Sequence, residues 1–388
     1  MQVAEGYKQT EVGVIPEDWD FSTAKNLCKV NQGLQISIEE RLTTPSPHSL
    51  KYITIQYLNN SKNVEYIGSF TESVCCSEDD VLMTRTGNTG IVVTDVKGVF
   101  HNNFFKISYR KDRLVKDYFV AYLRQEWMQQ LILTKAGTST IPDLNHSDFY
   151  SIPVIVPPFA EQEAIAEALS DADSLIESLQ QLIAKKRQIK QGAMQELLDP
   201  KDDWVEKSLG ETVKLINGRS YALHEWERQG IPVIRLQNLT GRGSEFYYSN
   251  MNLPSQMYCH KGDLLFMWSA TFGPVIWQGD KAIYHYHIWK IECNVGQIER
   301  DFLFHVLTDI TEKLKNSSTS GGTMLHLTKC GMERMKIQLP SINEQTRIAK
   351  ILSDMDSEIT SLETKLTKAQ QIKQGMMSEL LTGKTRLL

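Results

Sequence analysis

The sequence predicts two mixed α/β (α+β) globular units in tandem repeat. Two long helices, packed as an antiparallel coiled coil, join them with pseudo-two-fold symmetry. Three observations lead there. The phrase "QIKQGAMQELL" (Gln188–Leu198) returns almost unchanged as "QIKQGMMSELL" (Gln371–Leu381). Both copies end long segments with an apolar step of alternating four and three. The stretches before those segments share scattered Trp, Gly and Asp positions, so the repeat covers the whole chain.

The helical segments set the frame. Pro157–Leu198 lies over Pro340–Leu381 at a shift of 183 without gaps, with about half the positions identical, including Glu161-Gln162 with Glu344-Gln345. In the first copy Ile165, Leu169, Ala172, Ile176, Leu179 and Ile183 keep the seam. In the second it is Ile348, Leu352, Met355, Ile359, Leu362 and Leu366. Such a seam belongs to helices that pack along their length. About 38 residues make a rod of roughly 55–60 Å. Connectivity then expects the two globular units at opposite ends of the first helix, with the second helix running back along it. Gly192 and Gly375 fall late in each helix, where a bend is expected. A dimerisation hairpin with no measuring role is the plainer alternative.

The units before the helices match less closely. Asp18-Trp19 recurs as Asp203-Trp204 and Gly33 as Gly218, both at a shift of 185; Asp80, Gly90 and Leu144 recur as Asp263, Gly273 and Leu327. Strands are expected at Tyr52–Leu58, Val81–Gly87, Ile231–Leu239 and Asp263–Ser269, with helices at Asp117–Leu133 and Arg300–Leu314. "SIPVIVPP" and "RMKIQLPS" close the units as strands. The resulting division is 1–156, a first unit; 157–199, a helix; 200–339, a second unit; and 340–388, a second helix.

Composition excludes several classes. Hydrophobic residues make up 41% and charged residues 23%, as in a soluble globular chain. No apolar run is long enough for a membrane span, and the first residues lack the pattern of a secretory leader. The six cysteines have no C-x-x-C spacing and read as reduced thiols, which places the chain in the cytoplasm. The net charge is −5, shared as −3, −4, +1 and +1 among residues 1–156, 157–199, 200–340 and 341–388. No segment is strongly basic, so binding to nucleic acid calls for a more basic partner.

No catalytic motif stands out. "RTGNTG" (Arg85–Gly90) lacks the Lys-Ser/Thr of a phosphate loop and reads as a tight turn between strands. His285 and His287 share one strand face but have no third ligand in view, so no metal site is assigned. Of the adjacent Asp79 and Asp80 only the second recurs, which gives it a turn role. What the units offer is polar, planar side chains in loops. Arg85, Thr86 and Asn88 stand opposite Trp268, Ser269 and Thr271 in the repeat. Arg235, Gln237 and Asn238 are residue types that pair with guanine and adenine edges. Lys135, Thr138 and Ser139 in one unit and Ser318 and Ser320 in the other lie in hydroxyl-rich loops suited to phosphate. Arg219 and Tyr221 follow the repeated Gly218. For each residue taken singly, ordinary solvated surface is the plain alternative.

The opening "GYKQTEVGVIPEDW" (Gly6–Trp19), both "EQ-x-x-IA" stretches, both "IKQG-x-M-x-ELL" phrases and "GT-x-x-x-L" (Gly322–Leu327) resemble the specificity subunits of type I restriction–modification enzymes. The resemblance covers essentially the full length. It implies two target recognition domains, each reading one half of a bipartite double-stranded DNA sequence, and spacer helices that set the gap. It implies a chain without catalysis or cofactor of its own. S-adenosylmethionine, ATP and magnesium would be bound by partners, two adenine-methylating subunits and the restriction subunits. Pro142-Asp143, where the second unit has Leu325-His326, departs from the repeat. The alternatives are a coiled-coil scaffold that assembles enzymes without reading DNA, and an enzyme whose site carries no familiar motif.

Overall fold

A computed structural model of the chain describes residues 4–59, 64–137, 141–269, 271–317 and 327–387. It divides into two compact units, residues 1–179 with 365–388, and residues 180–364. Each unit therefore holds one globular head, the start of the long helix that follows it, and the end of the other long helix.

The heads have one topology. In the first unit, one four-stranded sheet runs Cys28–Gln32, Phe104–Tyr109, Val81–Thr84, Val92–Val93. A second runs Tyr66–Ile67, Leu50–Ile53, Gly98–Phe100, Cys75–Cys76. The second unit repeats both, as Val213–Asn217, Ile288–Cys293, Leu264–Ser269, Thr271–Ile276 and as Tyr247–Ser249, Ile231–Ile234, Ala282–Tyr284, Tyr258–Cys259. Even the parallel strand pairing recurs: Tyr52 and Ile53 lie beside Val99 and Phe100, Val233 and Ile234 beside Ile283 and Tyr284. The closing strands pair back to each unit's start, Pro153–Val156 on Asp20–Thr23 and Lys336–Leu339 on Val205–Ser208.

The repeated small and acidic residues now have physical reasons. A Cβ on Gly33 would collide with the carbonyl oxygens of Phe100 and His101, and one on Gly218 with those of Tyr284 and His285. Asp80 accepts the Ser77 amide at 2.8 Å and Asp263 the His260 amide at 2.9 Å, so both hold the turn into a strand.

Two expectations need correction. Tyr52–Leu58 and Ile231–Leu239 are not strands throughout: the chain leaves the sheet after Ile53 and Ile234 and turns into the short helices Ile55–Asn59 and Leu236–Leu239. An apolar run cannot distinguish a strand from a strand followed by one helical turn. Asp117–Leu133 is likewise two helices, Lys116–Arg124 and Glu126–Ala136, whereas Arg300–Ser317 is unbroken. The break lies at Gln125, whose buried side chain donates to the Met377 carbonyl at 2.8 Å and accepts from the Trp127 indole.

The long helices span Phe159–Leu197 and Ile342–Leu380, 39 residues each, about 58 Å at ~1.5 Å per residue. They run through Gly192 and Gly375 without interruption. The halves inside each unit are antiparallel: in the first unit Asp173 meets Lys373 while Leu179 and Lys365 line one groove, and in the second Arg187 meets Glu363 while Lys190 meets Asp356. Such exposed pairs contribute little, about 0–1 kcal/mol each. The seam carries the packing. Ile165, Leu169, Ile348 and Leu352 are fully buried against the heads, and Ala172 and Ile176, farther along, are half-buried. Among the described residues no helix is long and apolar enough to cross a membrane.

The repeated Glu-Gln fixes each head on its helix. Gln162 accepts the Val115 amide and donates to the carbonyls of Arg113 and Pro157, each at 2.9 Å. Gln345 accepts the Glu299 amide at 2.8 Å and donates to Gln297 and Pro340 at 3.2 and 3.0 Å. In the first unit the C-terminal tail completes this junction. Arg386 reaches Glu161 at 2.7 Å and Asp18 at 2.8 Å, and the Trp19 indole donates to Glu161 at 2.9 Å. Glu161 is only 3% exposed, and Arg386 is the cation it pairs with. Arg386→Ala is expected to destabilise the first unit by about 2–4 kcal/mol, because it strands a buried carboxylate. Faster hydrogen exchange in Asp20–Thr23 checks this. The hydrogen bond from Arg386 holds the Asp18 carboxyl below its ordinary 3.8. That contribution is complete above the ordinary value and is lost as pH falls below it, so the variant should lose this part of its acid sensitivity.

Candidate nucleic-acid interface

In the first unit the loop after Val81–Thr84 is braced by the Pro142-Asp143 pair. Arg85 binds the Asp143 carboxylate at 2.8 Å, reaches the Leu144 carbonyl at 3.4 Å and lies 5.4 Å from the Phe105 ring centre. Thr86 donates to Asp143 at 2.5 Å, and the buried Thr89 hydroxyl donates to the Pro142 carbonyl at 2.8 Å. The departure from the repeat is thus the brace of its own loop. Arg85 and Thr86 are engaged by it, while the Asn88 side chain is exposed. Lys135 donates to Ser151 at 2.8 Å. Thr138, Ser139, Ser318 and Ser320 lie outside the described residues.

In the second unit the predicted residues divide. Asn238 is spent on its own loop, accepting the Arg235 amide at 2.9 Å and donating to the carbonyls of Gly243 and Glu245. Trp268 donates to the Tyr286 carbonyl at 2.9 Å and stacks on Trp289; Ser269 is buried opposite Thr271 in the hairpin. Arg235, Gln237 and Thr271 come together in one cleft with Arg242, His285 and His287.

A row of aromatic rings supports that cleft. Tyr221 stacks on Trp226 at 4.7 Å, Tyr247 meets Trp226 at the same spacing, and His285 lies parallel to Trp226 at 6.2 Å. Two arginines lie on the row, Arg219 at 4.5 Å from the Tyr221 ring and Arg235 at 5.2 Å from Tyr247 and 5.7 Å from Trp226. Arg219 is neutralised by Glu225. Burial, helped by His287 and Arg235 nearby, lowers the His285 pKa to about 4, so this imidazole is neutral at pH 7. Among the described residues no group of three His, Cys, Asp or Glu could hold a metal ion.

Sequence reasoning missed Trp226, Tyr247 and Arg242. The usable signal was the loop aromatic Trp226 and the alternation in "EFYYSN", which puts Tyr247 and Tyr248 on opposite strand faces.

The type I restriction modification DNA specificity domain matches this sequence twice, over residues 16–187 and 201–374. The chain belongs to that family. Its relatives include the type I restriction enzyme MjaVIII specificity subunit of Methanocaldococcus jannaschii, 23% identical over 99% of this chain and 96% of the relative. The putative MjaX specificity subunit of the same organism is 25% identical over 99% and 97%. Among solved structures, the S subunit of a type I restriction–modification system from M. genitalium matches with a TM-score of 0.63 at 16% identity, over 98% of each chain. A chain from a structure describing complex assembly and conformational transition of a type I system matches at 0.56 and 16%, over 96% and 99%. These structures share the fold of the whole chain, two sheet-bearing heads and two long helices.

With its side chain committed to the loop, Asn238 is expected to serve folding alone. Asn238→Ala should cost about 1 kcal/mol of stability, as loss of a helix cap does, and leave sequence preference as it was. Thermal melting and a binding selection on the same preparation measure the two effects.

Proposed function

We propose that this chain is the sequence-specificity subunit of a type I restriction–modification complex, in which each head reads one half of a bipartite double-stranded DNA target. The observation that carries this reading is one fold, matched twice by the specificity domain, with unlike side chains at equivalent places. Arg85 on Asp143 in the first unit corresponds to Trp268 on Trp289 in the second. A structural duplicate has no need to differ there, whereas two heads that read different bases must.

Catalysis belongs to the partners. Two adenine-methylating subunits would carry S-adenosylmethionine and restriction subunits ATP with magnesium, all in the cytoplasm, with this chain bound to no cofactor. They also supply basic surface that a chain of net charge −5 lacks. The long helices would dock the methylating subunits and set the unread gap.

The test is methylome sequencing of a methylation-free host expressing the chain with its methylating subunits. The expected result is adenine methylation at one motif of two short halves around a fixed gap. An assembled, active complex that methylates without sequence preference would favour a scaffold that does not read DNA. The gap has its own test. One heptad inserted after Leu179 and one after Thr364, where the compact units divide, lengthen each helix by about 10 Å. The gap should grow by about three base pairs while both half-sites persist; an unchanged gap would refute the measuring role.

A further inference from the structure

The cleft of the second unit is lined by cations and donors. Arg235, Gln237, Arg242, Thr271, His285 and His287 surround a space of about 320 Å³, and none of its described lining residues is acidic. That is unusual in a chain with more carboxylates than basic groups. Arg85, Arg219 and Arg386 each sit on a carboxylate. Neither Arg235 nor Arg242 has such a partner among the described residues, and Arg235 makes no side-chain hydrogen bond there.

Arg235 is nonetheless held. Its guanidinium lies against Tyr247 and Trp226. Stacking uses the flat face of the group and none of its five N–H donors. A fixed guanidinium with its edge unfilled suits two acceptors side by side, which DNA offers as O6 and N7 of guanine or as a pair of phosphate oxygens. The first unit decides between them. Strand pairing places Thr54 where Arg235 stands, one residue beyond Ile53 and Ile234. Thr54 is buried and accepts the Tyr57 amide at 3.1 Å. A backbone clamp would serve both heads alike, whereas a base reader is the part that differs between them.

Resting on the specificity reading above, we propose that Arg235 determines part of the second unit's target by donating two N–H groups to O6 and N7 of one guanine in the major groove.

The test uses the complex with its methylating subunits and compares wild type, Arg235→Ala and Arg235→Lys by methylome sequencing and by binding at several salt concentrations. The expected wild-type motif has a required guanine, on either strand, in one half-site. Arg235→Ala should relax that position alone, with discrimination falling roughly 5- to 150-fold and the other half-site intact. Arg235→Lys should keep the salt dependence and lose part of the discrimination, and its retained methylation shows that the fold survives. A uniform loss across sequences, with the salt slope lower by about one in Arg235→Ala, would assign Arg235 to phosphate and overturn the proposal. Unchanged preference in both variants would overturn it too. A wild-type complex with no sequence preference would instead defeat the specificity reading itself.

Discussion

Two buried amides hold this architecture together. Gln162 and Gln345 are each 1% exposed, and each makes the same three hydrogen bonds. One accepts a backbone N–H where a head helix begins, and two satisfy carbonyls on either side of the junction with the long helix. Because these amides are buried, an unmade bond leaves a backbone group desolvated, at about 1–3 kcal/mol. The amide therefore fixes how each head sits on the start of its own helix. Everything presented by the loops inherits that orientation.

This constraint explains why the repeat is uneven. Residues pinned by backbone geometry cannot drift: Gln162 and Gln345 at the junction, and the glycines at 33 and 218, pressed on neighbouring carbonyls inside the heads. Loop residues answer to whatever they contact and have diverged. Even a junction carboxylate shows some freedom. Glu161 is buried beneath Arg386 from the C-terminal tail, while its counterpart Glu344 lies nearer the surface and pairs with Arg347 and Lys201.

The same distinction sets what could be read in the sequence. The seam from Ile165 to Ile183 was legible because burial on one helix face leaves a period, and the turn role of Asp80 because its counterpart Asp263 kept it. The short helices after Ile53 and Ile234 were not, since a single helical turn has no period to display. The candidate site was legible only as residue types. Arg235, Gln237 and Asn238 look alike as planar polar groups in one stretch of sequence. Only hydrogen bonding separates Asn238, consumed by its loop, from Arg235, whose side-chain donors have no partner among the described residues. The supporting ring of Trp226 comes from a different loop, and no local pattern in the sequence joins it to Arg235.

How one fold can exchange a buried threonine for a stacked arginine is itself a matter of capping. A helix as short as Ile55–Asn59 or Leu236–Leu239 leaves most of its backbone donors without intrahelical partners and needs a side chain to tie off its start. In the first unit Thr54 does this from before the helix, accepting the Tyr57 amide. In the second unit the third helical amide, that of Asn238, donates instead to the Arg235 carbonyl at 3.0 Å, and the Asn238 side chain reaches back to accept the Arg235 amide. Tyr57 occupies that position in the first unit and has no carbonyl side chain with which to reach back. With the third helical amide on the Arg235 carbonyl and the turn closed by Asn238, the side chain of residue 235 is not needed for the turn and is free to be chosen for what lies in the cleft. The loop's stability and its chemistry are then carried by different residues, so one can change without the other.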